Sequence, residues 1–192
     1  MSDKREAVLS SALELFASQS FEGTAMPALA QNAGVGAGTI YRYFASKEDL
    51  GNAVFQRWKS ELLRYLTDDF PRGLPVRKEF ALLWRRLWQF AGDHPDALAF
   101  LEVHHHPEYL DATSRQLSEQ VMKVGRAFIR RGQRVGEIRS ADADVLIAMV
   151  FGAFVGMVKA GLGTVPEQIE TSEEALWEML KGPEERKGLT VE

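Results

Sequence analysis

From Val8 to Leu180 the apolar residues of this chain recur every three or four positions, and nowhere do they alternate with polar ones over the length of a strand. That one periodicity confines the chain to helices packed on helices. Over 2–18, Val8, Leu9, Ala12, Leu15 and Phe16 share a face, and Phe21-Glu22-Gly23-Thr24 breaks the pattern. A short helix is expected over 26–33, with Pro27 tolerated in its first turn and Gly34 free to take the left-handed conformation that ends it. Another is expected from Gly36-Ala37 to Phe44. Ser46, with Asp49 three residues on, caps a fourth whose stripe is Leu50, Val54, Trp58 and Leu62.

Pro71 and Pro75 mark a break, and five more helices are expected after it. The first carries Phe80, Leu83, Trp84, Leu87 and Ala91 on one face. The next is opened by Asp93 and Pro95 and ends near Pro107. Thr113 with Gln116 opens the third, which Gly132 and Gly136 weaken and end. The fourth covers 141–162 and is stopped by Gly163 and Pro166. Thr171 with Glu174 caps the last, which Gly182-Pro183 terminates. The expected fold is therefore all-α, with about nine helices.

Composition narrows the setting. The chain has no cysteine, which excludes disulfides and thiolate metal sites and suits a reducing cytoplasm. The longest apolar run, 145–158, is too short to span a bilayer and fits a buried helix. The opening residues carry no apolar leader stretch. A cytoplasmic protein with no membrane partner is expected. Net charge is −4, and residues 1–50 hold four cations (Lys4, Arg5, Arg42, Lys47) against six carboxylates.

The chemistry gathers around Ala33-Gly34-Val35-Gly36. Two short helices joined by so tight a turn cross steeply, as in a helix-turn-helix. The second begins with small residues (Gly36, Ala37, Gly38), so its N-terminus can approach a phosphate or a base edge closely. It then presents Thr39, Tyr41, Arg42 and Tyr43, while Ile40 and Phe44, four apart, anchor it inward. Spacing alone fits equally well a helical hairpin whose aromatic face merely packs.

Residues 24–50, TAMPALAQNAGVGAGTIYRYFASKEDL, resemble the N-terminal signature of the TetR/AcrR family of transcriptional regulators, as do Ala12, Leu15, Phe16 and the 21–24 loop upstream. The resemblance covers about the first quarter of the chain. It implies a three-helix DNA-binding domain over 1–47, with the motif at 25–44, and a helical bundle over 48–192 for ligand binding and dimerisation. The implied DNA contacts are Thr24, Gly36, Ala37, Thr39, Tyr41, Arg42, Tyr43 and Lys47. Tyr41 and Lys47 would hold phosphates; Arg42 and Tyr43 would read base edges, an arginine pairing best with guanine. The chain departs from the family where Gly36-Ala37 replace a frequent Ser-Lys or Ser-Arg pair, and where Ala25 replaces a frequent hydroxyl residue.

The remaining sequence yields expectations for a sensor and a dimer. Phe80, Trp84, Trp88, Phe100, His104, His105 and Phe128 are candidates to line a site for a small apolar or aromatic effector. His104-His105-His106 diverge by about 100° per residue along a helix, so the three cannot chelate one metal. No metal or cofactor is expected. The 144–162 stretch is apolar nearly all round, with Gly152, Gly156 and Ala160 at four-residue spacing. Val145, Met149, Gly152, Gly156, Ala160, Leu176 and Leu180 are the expected homodimer contacts. The function implied is a sequence-specific DNA-binding regulator, a repressor released from a palindromic operator by a small molecule. The competing readings are a small helical enzyme using the His104–His106 region and a helical adaptor that binds protein. No nucleophile elbow, phosphate loop or HExxH pattern supports the enzyme.

Overall fold

A computed structural model describes residues 2–103 and 108–182. In order, the helices are α1 (Ser2–Gln19), α2 (Met26–Asn32), α3 (Ala37–Tyr43), α4 (Lys47–Thr67), α5 (Val76–Asp93), α6 (Pro95–Val103), α7 (Ala112–Arg134), α8 (Ala143–Lys159) and α9 (Pro166–Leu180). Among the described residues there are nine helices and no strand, with Ile138 and Lys181 meeting in an isolated antiparallel bridge.

Helix starts follow the side chains that can satisfy free backbone N–H groups. At α4 the Ser46 hydroxyl accepts from the Asp49 N–H at 3.1 Å while the Asp49 carboxylate accepts from the Ala45 N–H at 3.0 Å, as the sequence predicts. Three starts differ from the sequence expectation, α8 opening at Ala143 behind an Asp142 cap and not at 141. α7 begins at Ala112 because Asp111, not Thr113, supplies the acceptor, taking the Ser114 N–H at 2.7 Å. α9 begins at Pro166, five residues before Thr171, so this proline opens a helix rather than stopping one. α8 correspondingly ends at Lys159, and Gly161 and Gly163, both at positive φ, carry the turn between them.

The chain divides into two compact units, with divisions after Asp68 and inside α5 and α7. The first comprises the described residues of Met1–Asp68 and Gln89–Met122. Here the α1 stripe Val8, Leu9, Ala12, Leu15 and Phe16 is buried, and Phe16 lies 5.1 Å from Phe21 and 6.0 Å from Phe100, ring centre to ring centre. α1 packs on α2, α4 and α6. Each of the larger of these side chains contributes roughly 1.5–3 kcal/mol on burial.

Lys59 of α4 opposes that stabilisation. Its Nζ stands 5.5 Å from the centre of the Phe55 ring, and Phe55 has no exposed surface. Burial lowers the amine from the ordinary lysine value of 10.5 to about 8. Because the folded value lies below the unfolded one, stability falls as pH drops from 10.5 to 8, and the loss is complete below 8. Lys59→Met is therefore expected to raise the unfolding free energy at pH 7 by about 1–3 kcal/mol. The gain should shrink between pH 8 and 10.5 and vanish above; urea titrations across that range would show it, and a pH-independent gain would contradict it.

The second unit comprises the described residues of Asp69–Trp88 and Lys123–Glu192. Val76, Phe80, Phe128, Ile129, Ile138, Leu146 and Leu180 form its core. Trp84, Trp88 and Phe154 extend it, with Trp88 and Phe154 at 5.0 Å. α8 buries Leu146 and Phe154 on one side, while Val145, Met149 and Phe151 on the other remain 54, 50 and 40% exposed. The sequence predicts cover all round this helix; a single chain covers one side of it.

Candidate nucleic-acid interface

The interface is built on α2, the turn and α3. Ala25 starts α2 without a side-chain cap, and Pro27 sits in its first turn. Gly34 adopts φ +63°, a left-handed conformation that glycine takes without strain, and the Val35 N–H closes the turn on the Ala30 carbonyl at 3.0 Å. α3 is fixed from behind: Ile40 and Phe44 are buried, and Leu29 and Ala30 anchor α2 likewise. The Ser11 hydroxyl donates to the Leu29 carbonyl at 3.3 Å, tying α2 to α1.

With its back so held, α3 turns a polar face outward. Gly36, Ala37, Gly38, Tyr41 and Arg42 are exposed, and Thr39 and Tyr43 are half-buried. Tyr41 leaves 53% of its surface uncovered, high for an aromatic ring. The Arg42 guanidinium lies 5.2 Å from the centre of the Tyr43 ring and donates to its hydroxyl at 3.4 Å, so the two side chains project as a pair. No side chain caps α3 at Gly36, and the Thr39 N–H bonds the Gly36 carbonyl at 2.8 Å. Lys47 donates to the Glu22 carbonyl at 3.4 Å. Beside it Glu48 stays ionised, because its own backbone N–H and then the Ser46 hydroxyl hold its carboxyl below the usual carboxylate range.

Thr24 is placed differently from the other expected contacts. It is buried, and its hydroxyl lies 2.7 Å from the Ser20 carbonyl and 3.2 Å from that of Leu15, so it braces the loop before α2. Sequence reasoning did not select Arg5. Its guanidinium lies 5.3 Å from the centre of the Phe44 ring, beside the C-terminal end of α3. The sequence reveals the cation; that the first turn of α1 meets the end of α3 is a tertiary fact with no local signal.

The described residues among the expected effector contacts fall in both units. Phe80, Trp84, Trp88 and Phe128 belong to the second unit, with Phe80 at 6.3 Å from Trp84 and 6.1 Å from Phe128. Phe100 belongs to the first unit, against Phe16. His104 and His105 lie outside the described residues. Trp84 donates its indole N–H to the Ile169 carbonyl and the Ser172 hydroxyl, both at 3.2 Å, whereas the buried Trp88 N–H has no partner among the described residues. A groove of about 270 Å³ in the first unit is lined by Leu9, Leu13, Val54, Arg57, Trp58 and Asp96 among others, and by none of the expected effector residues. Of the expected dimer residues, Val145, Met149, Gly152, Gly156 and Ala160 are exposed and Leu176 is half-buried. Leu180 has no exposed surface, so it supports that face from the core and cannot itself touch a partner.

Residues 8–54 match the family described as bacterial regulatory proteins, tetR family, and residues 55–181 match the tetracyclin repressor-like C-terminal domain. The chain is 24% identical over 186 residues to an uncharacterized HTH-type transcriptional regulator of Haemophilus influenzae, spanning 93% of this chain and 96% of that protein. It is 34% identical over 160 residues to the HTH-type transcriptional regulator RutR of Escherichia coli O157:H7, spanning 80% and 73%. The transcriptional regulator FadR of Bacillus subtilis, solved in complex with stearoyl-CoA, shares the fold with a TM-score of 0.72 at 19% identity, over 92% of this chain and 97% of that one.

Proposed function

Because the chain belongs to the tetR family of bacterial regulatory proteins, and is a transcriptional regulator rather than an enzyme, we propose that two copies hold α3 in successive major grooves of a palindromic operator. A small molecule then releases them. The observation that carries this is the outward face of α3, with Arg42 and Tyr43 paired and projecting from a helix fixed by Ile40 and Phe44. The paired side chains read base edges, while Gly36, Ala37, Thr39, Tyr41 and Lys47 seat the helix on phosphates; Thr24 acts by bracing the loop. Few cations serve this interface, so the N–H groups at the start of α3 share the work of holding the backbone.

The reading head takes in 1–47 and the ligand-binding and dimerisation part 48–192; the change of matched family between residues 54 and 55 supports a division in this region. The protein acts in the cytoplasm, where its DNA lies. No helix of the described residues is long and apolar enough to cross a membrane. The two copies join through the exposed apolar side of α8, which spaces two heads about one DNA turn apart. The effector is apolar and carries a hydrogen-bond acceptor. The aromatic set around Trp84 and the unpartnered Trp88 N–H support that reading, and the stearoyl-CoA held by FadR supports a long apolar molecule as something this fold accommodates. Binding prefers a state with the heads out of register, and its differential affinity for that state supplies the free energy of release.

Selection from a random duplex pool is expected to enrich a palindrome. Fluorescence anisotropy should then show an Arg42→Ala, Tyr43→Ala double variant binding it at least about 30-fold more weakly, with non-specific binding little changed. Equal binding of palindrome and scrambled duplex by the native chain would overturn the reading.

A further inference from the structure

We propose that Tyr109, outside the helix-turn-helix, is a positioning residue for DNA binding, seating the Lys47 ammonium at its phosphate through the ring of Phe21. The proposal rests on Lys47 being a phosphate contact. A lysine amine on a four-carbon stem samples many positions, so what fixes it before DNA arrives affects affinity. At the first residue of α4, the Lys47 Nζ stands 4.7 Å from the centre of the Phe21 ring. Phe21 is buried in turn, and its ring stacks on Tyr109 at 4.2 Å with 17° between the planes.

Tyr109 is itself clamped to α4. The Asn52 side-chain amide donates to the Tyr109 carbonyl at 2.9 Å; its oxygen accepts from the Asp111 N–H at 2.9 Å and from the Ser114 hydroxyl at 2.7 Å. Asn52 is buried, and its bond with the Ser114 hydroxyl is shielded from water. Gly51 supplies the room. A Cβ there would stand 2.8 Å from Phe21 Cε2, closer than real contacts allow, and a tight 3.1 Å from Tyr109 Cε2. Glycine inside a helix costs roughly 1 kcal/mol relative to alanine, and the close approach of two rings explains why α4 carries one here. Notch and clamp thus occupy neighbouring positions, and the segment before α7 reaches the DNA-facing cation through one ring.

The test is a double-mutant cycle on the full chain with the selected operator, measured by anisotropy at several salt concentrations. Lys47→Ala should weaken binding about 10-fold and reduce the salt slope by about one. Tyr109→Ala should weaken it about 3- to 5-fold in the native background and have no effect once Lys47 is alanine. Tyr109→Phe should bind as the native chain does, and Gly51→Ala should behave like Tyr109→Ala. If circular dichroism shows Tyr109→Ala unfolded, Tyr109→Leu keeps the bulk without the ring and takes its place. Equal losses from the Tyr109 variant with and without Lys47 would overturn the proposal and leave the phosphate contact standing. A Lys47→Ala variant with native affinity and slope would overturn both.

Discussion

Trp84→Ala is expected to lower the unfolding free energy by about 4–5 kcal/mol, a large part of the roughly 5–15 kcal/mol that holds a domain together. Trp84 is 1% exposed, and its ring meets those of Phe80 at 6.3 Å, Trp88 at 6.0 Å and Phe154 at 5.9 Å. Truncation would leave a cavity bounded by rigid rings that cannot close over it. It would also strip the Ile169 carbonyl of the indole N–H that α5 supplies to α9. Trp84→Phe keeps most of the volume and loses only the donor, so about 1–2 kcal/mol is expected. Urea unfolding followed by circular dichroism, at one fixed protein concentration, separates the two. A loss under 1 kcal/mol for the alanine variant would mean that Trp84 borders open space and not a filled core.

That distinction marks where sequence reasoning stops. Helical spacing identifies Phe80, Trp84, Trp88, Phe100 and Phe128 as inward-facing, and all five are buried. It does not say which share a core, and Phe100 belongs to the other unit from the remaining four. The α1 stripe and the Ser46 cap were legible because each depends on residues a few positions apart. The start of α9 was not: proline's missing N–H and its ring stop a helix that precedes it, while its fixed φ suits the first turn of one that follows, and only the chain beyond decides. Thr24 shows the same limit in the interface. Its place in the motif points to DNA, yet its hydroxyl is used inside the loop. Gly51 carried no signal, since the two rings it admits come from segments distant in sequence.

Met149→Glu is expected to leave the subunit folded, to sediment at the mass of one chain, and to bind the operator about 10²- to 10⁴-fold more weakly. Met149 is 50% exposed on α8, beside Val145 and in line with Gly152 and Gly156, so a carboxylate there meets water in an isolated chain and costs little. In the proposed dimer the same carboxylate would be shut into an apolar seam, at a cost of several kcal/mol. Gly152→Leu isolates the cause. Gly152 is exposed and a Cβ there meets nothing within 4 Å, so a leucine has solvent to turn into within the subunit and favours the helix by roughly 0.8 kcal/mol. Any loss of assembly it produces must therefore come from a second chain that needed the space. Each separated head would still contact a half-site, but without the linkage that turns the second contact into an intramolecular one. Analytical ultracentrifugation beside operator anisotropy follows both effects. Two variants that stay dimeric and bind at native affinity would remove α8 from the interface and require the heads to be paired by another surface.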